Sequence, residues 1–121
     1  MSSCFIALSA VAVNYFKRVL GGHVTFPCLF SWAKTNNKYF CKETCSGKDI
    51  LVETKGSRNV TQGRYSLHDF RNGVFTVTIK DLKKSDSGTY WCGAERYGPD
   101  SYQKVNLRET DDVNVSEAYR T

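Results

Sequence analysis

The chain has 121 residues, of which 40% are hydrophobic and 24% charged, and it carries a formal net charge of +5. One domain with a single core fits this length, and the hydrophobic and aromatic content sets it apart from disordered chains. No apolar run reaches the ~18 residues that cross a bilayer.

In chain order, Cys4–Val13 is a short apolar run ending in Ala10-Val11-Ala12, which resembles a signal-peptidase site. Residues 1–12 then read as the remnant of a secretory leader. In the other reading the run belongs partly to a first strand, and Cys4 is a free or intermolecular thiol. Val13–Val19 is a predicted edge strand, Gly21-Gly22 a turn, and Val24–Cys28 a strand whose Pro27 faces outward or lies on an edge. Leu29–Asn37 is a loop. Its Trp32 either folds onto the domain, the favoured reading, or stands exposed as a contact residue. Lys38–Lys42 and Asp49–Thr54 are strands, Lys55–Asn59 is polar loop, and Gly63–His68 is a strand. Asn72-Gly73 is a turn before the alternating strand Val74–Lys80. Gly88–Glu95 and Ser101–Arg108 are the last strands, joined by Arg96–Asp100. Residues 109–121 are polar and acidic and read as a stalk or disordered tail, which leaves 13–108 as the folded domain. Any membrane anchor is expected beyond Thr121.

Asp86-Ser87-Gly88-Thr89-Tyr90-Trp91-Cys92 has the form D-x-G-x-Y-x-C. It resembles the corner and penultimate strand of an immunoglobulin domain, where a buried Tyr two residues before a Cys returns its hydroxyl to the upstream backbone. Four further stretches extend the likeness: Lys38-Tyr39-Phe40-Cys41 followed by Cys45, Gly63–Leu67, Phe75–Ile79, and Tyr90–Gly93. Together they resemble the single-V-domain receptors related to the polymeric immunoglobulin receptor, which include leukocyte mono-immunoglobulin-like receptors and fish polymeric-immunoglobulin-receptor-like proteins. The likeness spans roughly Gly21–Leu107. Phe40 departs from the pattern, which has Trp there.

The resemblance implies an all-β, V-type, two-sheet Greek-key sandwich. It implies a Cys28–Cys92 disulfide between the sheets and a Cys41–Cys45 disulfide across the hairpin after the third strand. Cys28, Cys41, Cys45 and Cys92 are then paired and Cys4 is left over, a pattern suited to an oxidising compartment. Zinc on these four cysteines is not expected, because Cys28 and Cys92 fall in the sandwich core. Arg64 is expected to pair with Asp86. Tyr39, Cys41, Trp91 and Gly93 should face outward on the front sheet, where an exposed Tyr39–Trp91 patch would suit pairing with another domain.

Enzymatic motifs are missing: there is no phosphate loop, G-x-S-x-G elbow or H-E-x-x-H. His23 and His68 have no paired acid in sequence, and no cofactor is expected. The expected site is the pair of loops that share one end of a V-type sandwich, Phe30–Asn37 and Glu95–Tyr102. Its candidate residues are Trp32, Lys34, Glu95, Arg96, Tyr97, Gly98, Asp100 and Tyr102; an ordinary solvated turn is the plain alternative. Residues 109–121 hold four acids and one Arg, a net of −3, so the rest of the +5 chain carries +8. A basic extracellular module favours anionic partners. The resemblance points to an innate immune receptor at the cell surface, or a secreted form. The expected ligands are anionic phospholipid or an extracellular protein such as immunoglobulin. A front-sheet adhesion module is the further alternative, and nucleic acid is not expected. Asn59-Val60-Thr61 and Asn114-Val115-Ser116 are candidate glycosylation sequons at Asn59 and Asn114.

Overall fold

A computed structural model describes residues 14–17 and 21–109. The proposed leader, Cys4, Asn114 and the acidic tail after Glu109 lie outside them. Among the described residues nine strands form two sheets: β1 (Asn14–Lys17), β2 (Val24–Leu29), β3 (Lys38–Lys42), β4 (Ile50–Glu53), β5 (Asn59–Gln62), β6 (Tyr65–Asp69), β7 (Val74–Ile79), β8 (Gly88–Ala94) and β9 (Ser101–Glu109). The front sheet has the order β1-β9-β8-β3-β4 and the back sheet β2-β7-β6-β5. All neighbours are antiparallel except β1 and β9, which run parallel with Asn14 beside Asn106.

Alternation drives the packing. Phe26 and Cys28 of β2, Leu67 of β6, and Phe75, Val77 and Ile79 of β7 turn inward and are buried. They meet Phe40, Val52, Tyr90, Cys92 and Val105 of the front sheet. Cys28 and Cys92 are joined between the sheets. Phe40 pairs with Cys92 across the strands, stacks on Tyr90 at 5.2 Å and lies 5.5 Å from Phe26. Full burial of such a ring contributes about 1.5–3 kcal/mol, so Phe fills the place of the usual Trp with apolar surface alone. Pro27 is tolerated because β2 is an edge strand.

The corner closes as its motif implies. Tyr90 donates its hydroxyl to the Asp86 carbonyl at 2.6 Å. Arg64 grips both carboxylate oxygens of Asp86 at 2.8 Å each. It also reaches the carbonyls of Lys80 and Asp81.

One expected boundary is wrong. Asn59, expected to end a polar loop, opens a further strand through Gln62 that was not assigned from sequence, pairing with β6 from Asn59 opposite His68 to Gln62 opposite Tyr65. Gly63 lies in the turn between them at φ +58°, so it cannot begin the next strand, which starts at Tyr65.

Candidate functional site

Four loops meet at one end of the sandwich: 30–37, 54–58, 70–73 and 95–100. Backbone contacts bring them together. Phe30 N–H donates to Gly73 O at 2.7 Å, and Glu95 N–H donates to Asn37 O at 2.9 Å. Gly73 is needed at that meeting, since it has φ +100° and an added Cβ would fall 2.9 Å from Ser31 Cα.

Polar side chains lock the arrangement. Asn37 Oδ1 accepts from Gly56 N–H at 2.8 Å and from the Thr54 hydroxyl at 3.2 Å, while Asn36 Nδ2 donates to Glu95 O at 2.8 Å. Beneath them Lys38 is fully buried. Its ammonium donates to Asp69 at 2.7 Å and to the Asn36 carbonyl at 2.8 Å, and Asp69 also accepts from Arg71 N–H. A buried charge persists only when paired and hydrogen-bonded, and this pair ties the front sheet to the back sheet directly under the loops. Neither residue was singled out from sequence. The signal existed, because Lys38 shares the inward phase of Phe40, and Asp69 that of Leu67.

The expected loop residues do converge. Arg96 lies over the Trp32 ring, 5.2 Å from its centroid, and donates to the Ser101 hydroxyl. Trp32 rests edge-on against Phe30 yet remains 41% exposed, so the folded-in reading gives way to a partly exposed one. Phe30 takes the interior position instead, stacked on Phe75. Lys34 is exposed, Tyr97 stands fully in solvent, and Gly98 turns the tip at φ +94°. The side chain of Glu95 meets Asn37 Nδ2 at 3.4 Å. Asp100 is tied down: Tyr39 donates its hydroxyl to it at 2.6 Å and lies 3.0 Å from the Tyr102 hydroxyl. Burial, then the hydrogen bonds to Asp100 and Tyr102, push the Tyr39 phenol well above its ordinary range, so it remains a donor throughout physiological pH.

Asn59 is exposed on β5. His23 is exposed beside the first turn, and His68 is half-buried on β6 beside Asn59 and Phe70.

The outward face of the front sheet corrects a second expectation. Tyr39 is only 6% exposed and Cys41 is fully buried. Both point away from the core, but Cys41 is joined to Cys45, which folds residues 43–47 back over the sheet. Glu43 and Cys45 adopt φ +58° and +56° in that tight turn. Thr44 donates to Asp49 through its N–H and its hydroxyl, and these bonds hold the Asp49 carboxyl below its usual range. Gly93 makes room for Tyr39 rather than Trp91, since an added Cβ would collide with the Tyr39 ring. Trp91 is half-buried and forms, with Glu43, Thr44, Cys45 and Tyr102, a small open pocket beside the disulfide. The exposed Tyr39–Trp91 pairing patch is therefore absent.

A disulfide between two antiparallel-stranded sheets, the tyrosine corner and loops gathered at one end define a V-type immunoglobulin domain, and the chain belongs to the immunoglobulin V-set family, whose model matches residues 14–111. It is similar to CMRF35-like molecule 1 of Rattus norvegicus, 37% identical over 88% of this chain and 34% of the relative. It is also similar to CMRF35-like molecule 5 of Homo sapiens, 39% identical over 71% and 46%. The chain thus spans less than half the length of these relatives. Human T-cell immunoglobulin and mucin domain protein 1 is similar in structure, with TM-score 0.65 and 30% identity over 78% of this chain and 94% of that one. The ectodomain of a teleost fish polymeric Ig receptor shares the fold, with TM-score 0.62 and 24% identity over 79% and 45%. The domain is an extracellular immune-receptor module, at a cell surface or in secreted form.

Proposed function

We propose that the domain is the binding module, without a catalytic role, of an innate immune receptor, and that its ligand is an anionic phospholipid surface met by loops 30–37 and 95–102. One observation carries this reading. The exposed large hydrophobic residues among the described ones are Leu29, Trp32, Phe70, Tyr97 and Tyr102; Trp32, Phe70 and Tyr97 lie in the end loops, and Leu29 and Tyr102 on the strands that adjoin them, with Tyr102 also lining the pocket beside Cys45. Exposed Lys34, Lys55, Arg58, Arg71 and Arg96 lie at the same end. Amphipathic aromatics with a polar tip suit the headgroup layer, and each basic side chain near an anionic membrane contributes about 1 kcal/mol. Of the acids there, Asp69 is paired with Lys38 and Glu53 lies 3.7 Å from Lys55, whereas Asp100 and Glu95 are hydrogen-bonded to the neutral Tyr39 and Asn37 and keep charges that oppose the attraction. Immunoglobulin is the competing ligand, and no contact at the loop end favours it.

Co-sedimentation with phosphatidylserine vesicles, in low and physiological salt, tests the reading. Arg96→Glu should weaken binding more than Lys80→Glu at the opposite end, and salt should weaken both variants and the parent. Equal losses, or no sedimentation of the parent protein at either salt, would remove phospholipid from first place.

A further inference from the structure

The back sheet ends in β5, a four-residue edge strand with unpaired backbone groups along its outer side. Such an edge invites pairing with another chain unless something covers it. Beside it, between β4 and β5, runs a polar groove lined by Glu53, Thr54, Lys55, Ser57, Asn59 and Thr61 among others. The solvent face of the same sheet bears hydroxyls and no formal charge: Thr25 bonds Thr78 at 2.8 Å, and Thr61 bonds Ser66 at 3.2 Å. Neither Pro, Lys nor Glu occurs within β5, so the strand itself carries no edge-protecting residue and the nearest charges are Glu53 and Lys55 across the groove.

The sequon occupies this strand. Asn59 and Thr61 are both exposed and share one face, two residues apart. Asn59 turns its Oδ1 to His68 Nδ1, which leaves Nδ2 without a hydrogen bond among the described residues. Nδ2 is the atom to which a glycan is attached.

We propose that Asn59 carries an N-linked glycan, and that this glycan covers the β5 edge and the polar groove beside β4. In the transfer, Nδ2 bonds to C1 of an oligosaccharide carried on a lipid diphosphate. The C1–oxygen bond breaks, the diphosphate leaves with the electron pair, and a proton departs from Nδ2. Loops 30–37 and 95–102 contain no sequon, so these two loops stay unmodified, while the glycan stands beside Arg58 and over the groove that Lys55 helps to line. This inference does not rest on the ligand proposed above.

The chain is secreted from cultured eukaryotic cells behind a leader, and its intact mass is measured before and after peptide N-glycosidase. The parent should lose glycan mass with Asn59 converted to Asp. Asn59→Gln and Thr61→Ala should each lack that glycan, and Thr61→Ser should retain it. Hydrogen exchange of the outward amides of β5 and β4 should then quicken severalfold after enzymatic removal, with the 30–37 and 95–102 amides unchanged. An unmodified Asn59 in the secreted parent overturns the site. Exchange that changes only in the loops, or nowhere, overturns the covering role.

Discussion

Lys38 and Asp69 meet at 2.7 Å with their side chains 0% and 4% exposed, one on each sheet. Removing one partner from such a pair leaves an uncompensated charge, at a cost of about 3–5 kcal/mol, whereas replacing both by apolar residues is close to neutral. Lys38→Met and Asp69→Leu should each destabilise the domain by that amount, and the double variant should regain most of it. Denaturant titration of the four proteins completes the cycle, and additive losses would mean that the pair is not a unit.

Gly93 and Tyr39 make a second testable contact. Gly93→Ala drives a methyl into a ring that is itself held by Asp100. Overpacking of this kind costs about 1–3 kcal/mol. Thermal unfolding should show the loss, and Tyr39→Ala in the same chain should reduce the additional penalty of Gly93→Ala.

Asp86 makes stability depend on pH. Burial pushes its carboxyl up, but the Arg64 hydrogen bonds and the Lys83 N–H outweigh it and hold it below the usual range. The unfolded chain therefore binds the proton first, near the ordinary pKa of about 3.9. The stabilisation is fully present above that value and is lost as pH falls through the lower folded pKa. Unfolding free energy measured between neutral pH and pH 2 should decline less steeply in Asp86→Asn than in the parent. The variant should also be weaker at neutral pH.

The two disulfides should differ in worth. Cys28–Cys92 spans 64 residues and Cys41–Cys45 only 4. Loop-closure entropy assigns them about 4 and 2 kcal/mol. Cys28→Ala/Cys92→Ala should lower stability more than Cys41→Ala/Cys45→Ala. Only the second pair should increase the quenching of Trp91 fluorescence, read in a Trp32→Phe background, because it frees residues 43–47 from the sheet.

Alternating strands and the Asp86–Cys92 corner were readable because their signals are local: period two, a turn glycine, and a Tyr two residues before a Cys. β5 was not, because Asn59, Thr61 and Gln62 are polar and Val60 alone packs on the core. Lys38 and Asp69 had the inward phase, but a charge in a short strand reads as a solvent-facing residue until its partner is seen. Tyr39 faces away from the core as alternation requires. Its burial depends on the folded-back 43–47 turn and on Gly93 and Asp100, the last two more than fifty residues away in sequence. Trp32 differs from expectation because Phe30, two residues earlier, already fills the interior beside Phe75.

Asn37 reaches both Gly56 and Glu95, and Asp100 is anchored by Tyr39, so the tip of the β8–β9 loop hangs between two fixed posts. Arg96–Pro99 is the span left between them, and Arg96 in it lies over Trp32 of the neighbouring loop. On the proposed function, the domain is a socket with an interchangeable head: rewriting these four consecutive residues should change the ligand while the frame that presents them keeps its shape.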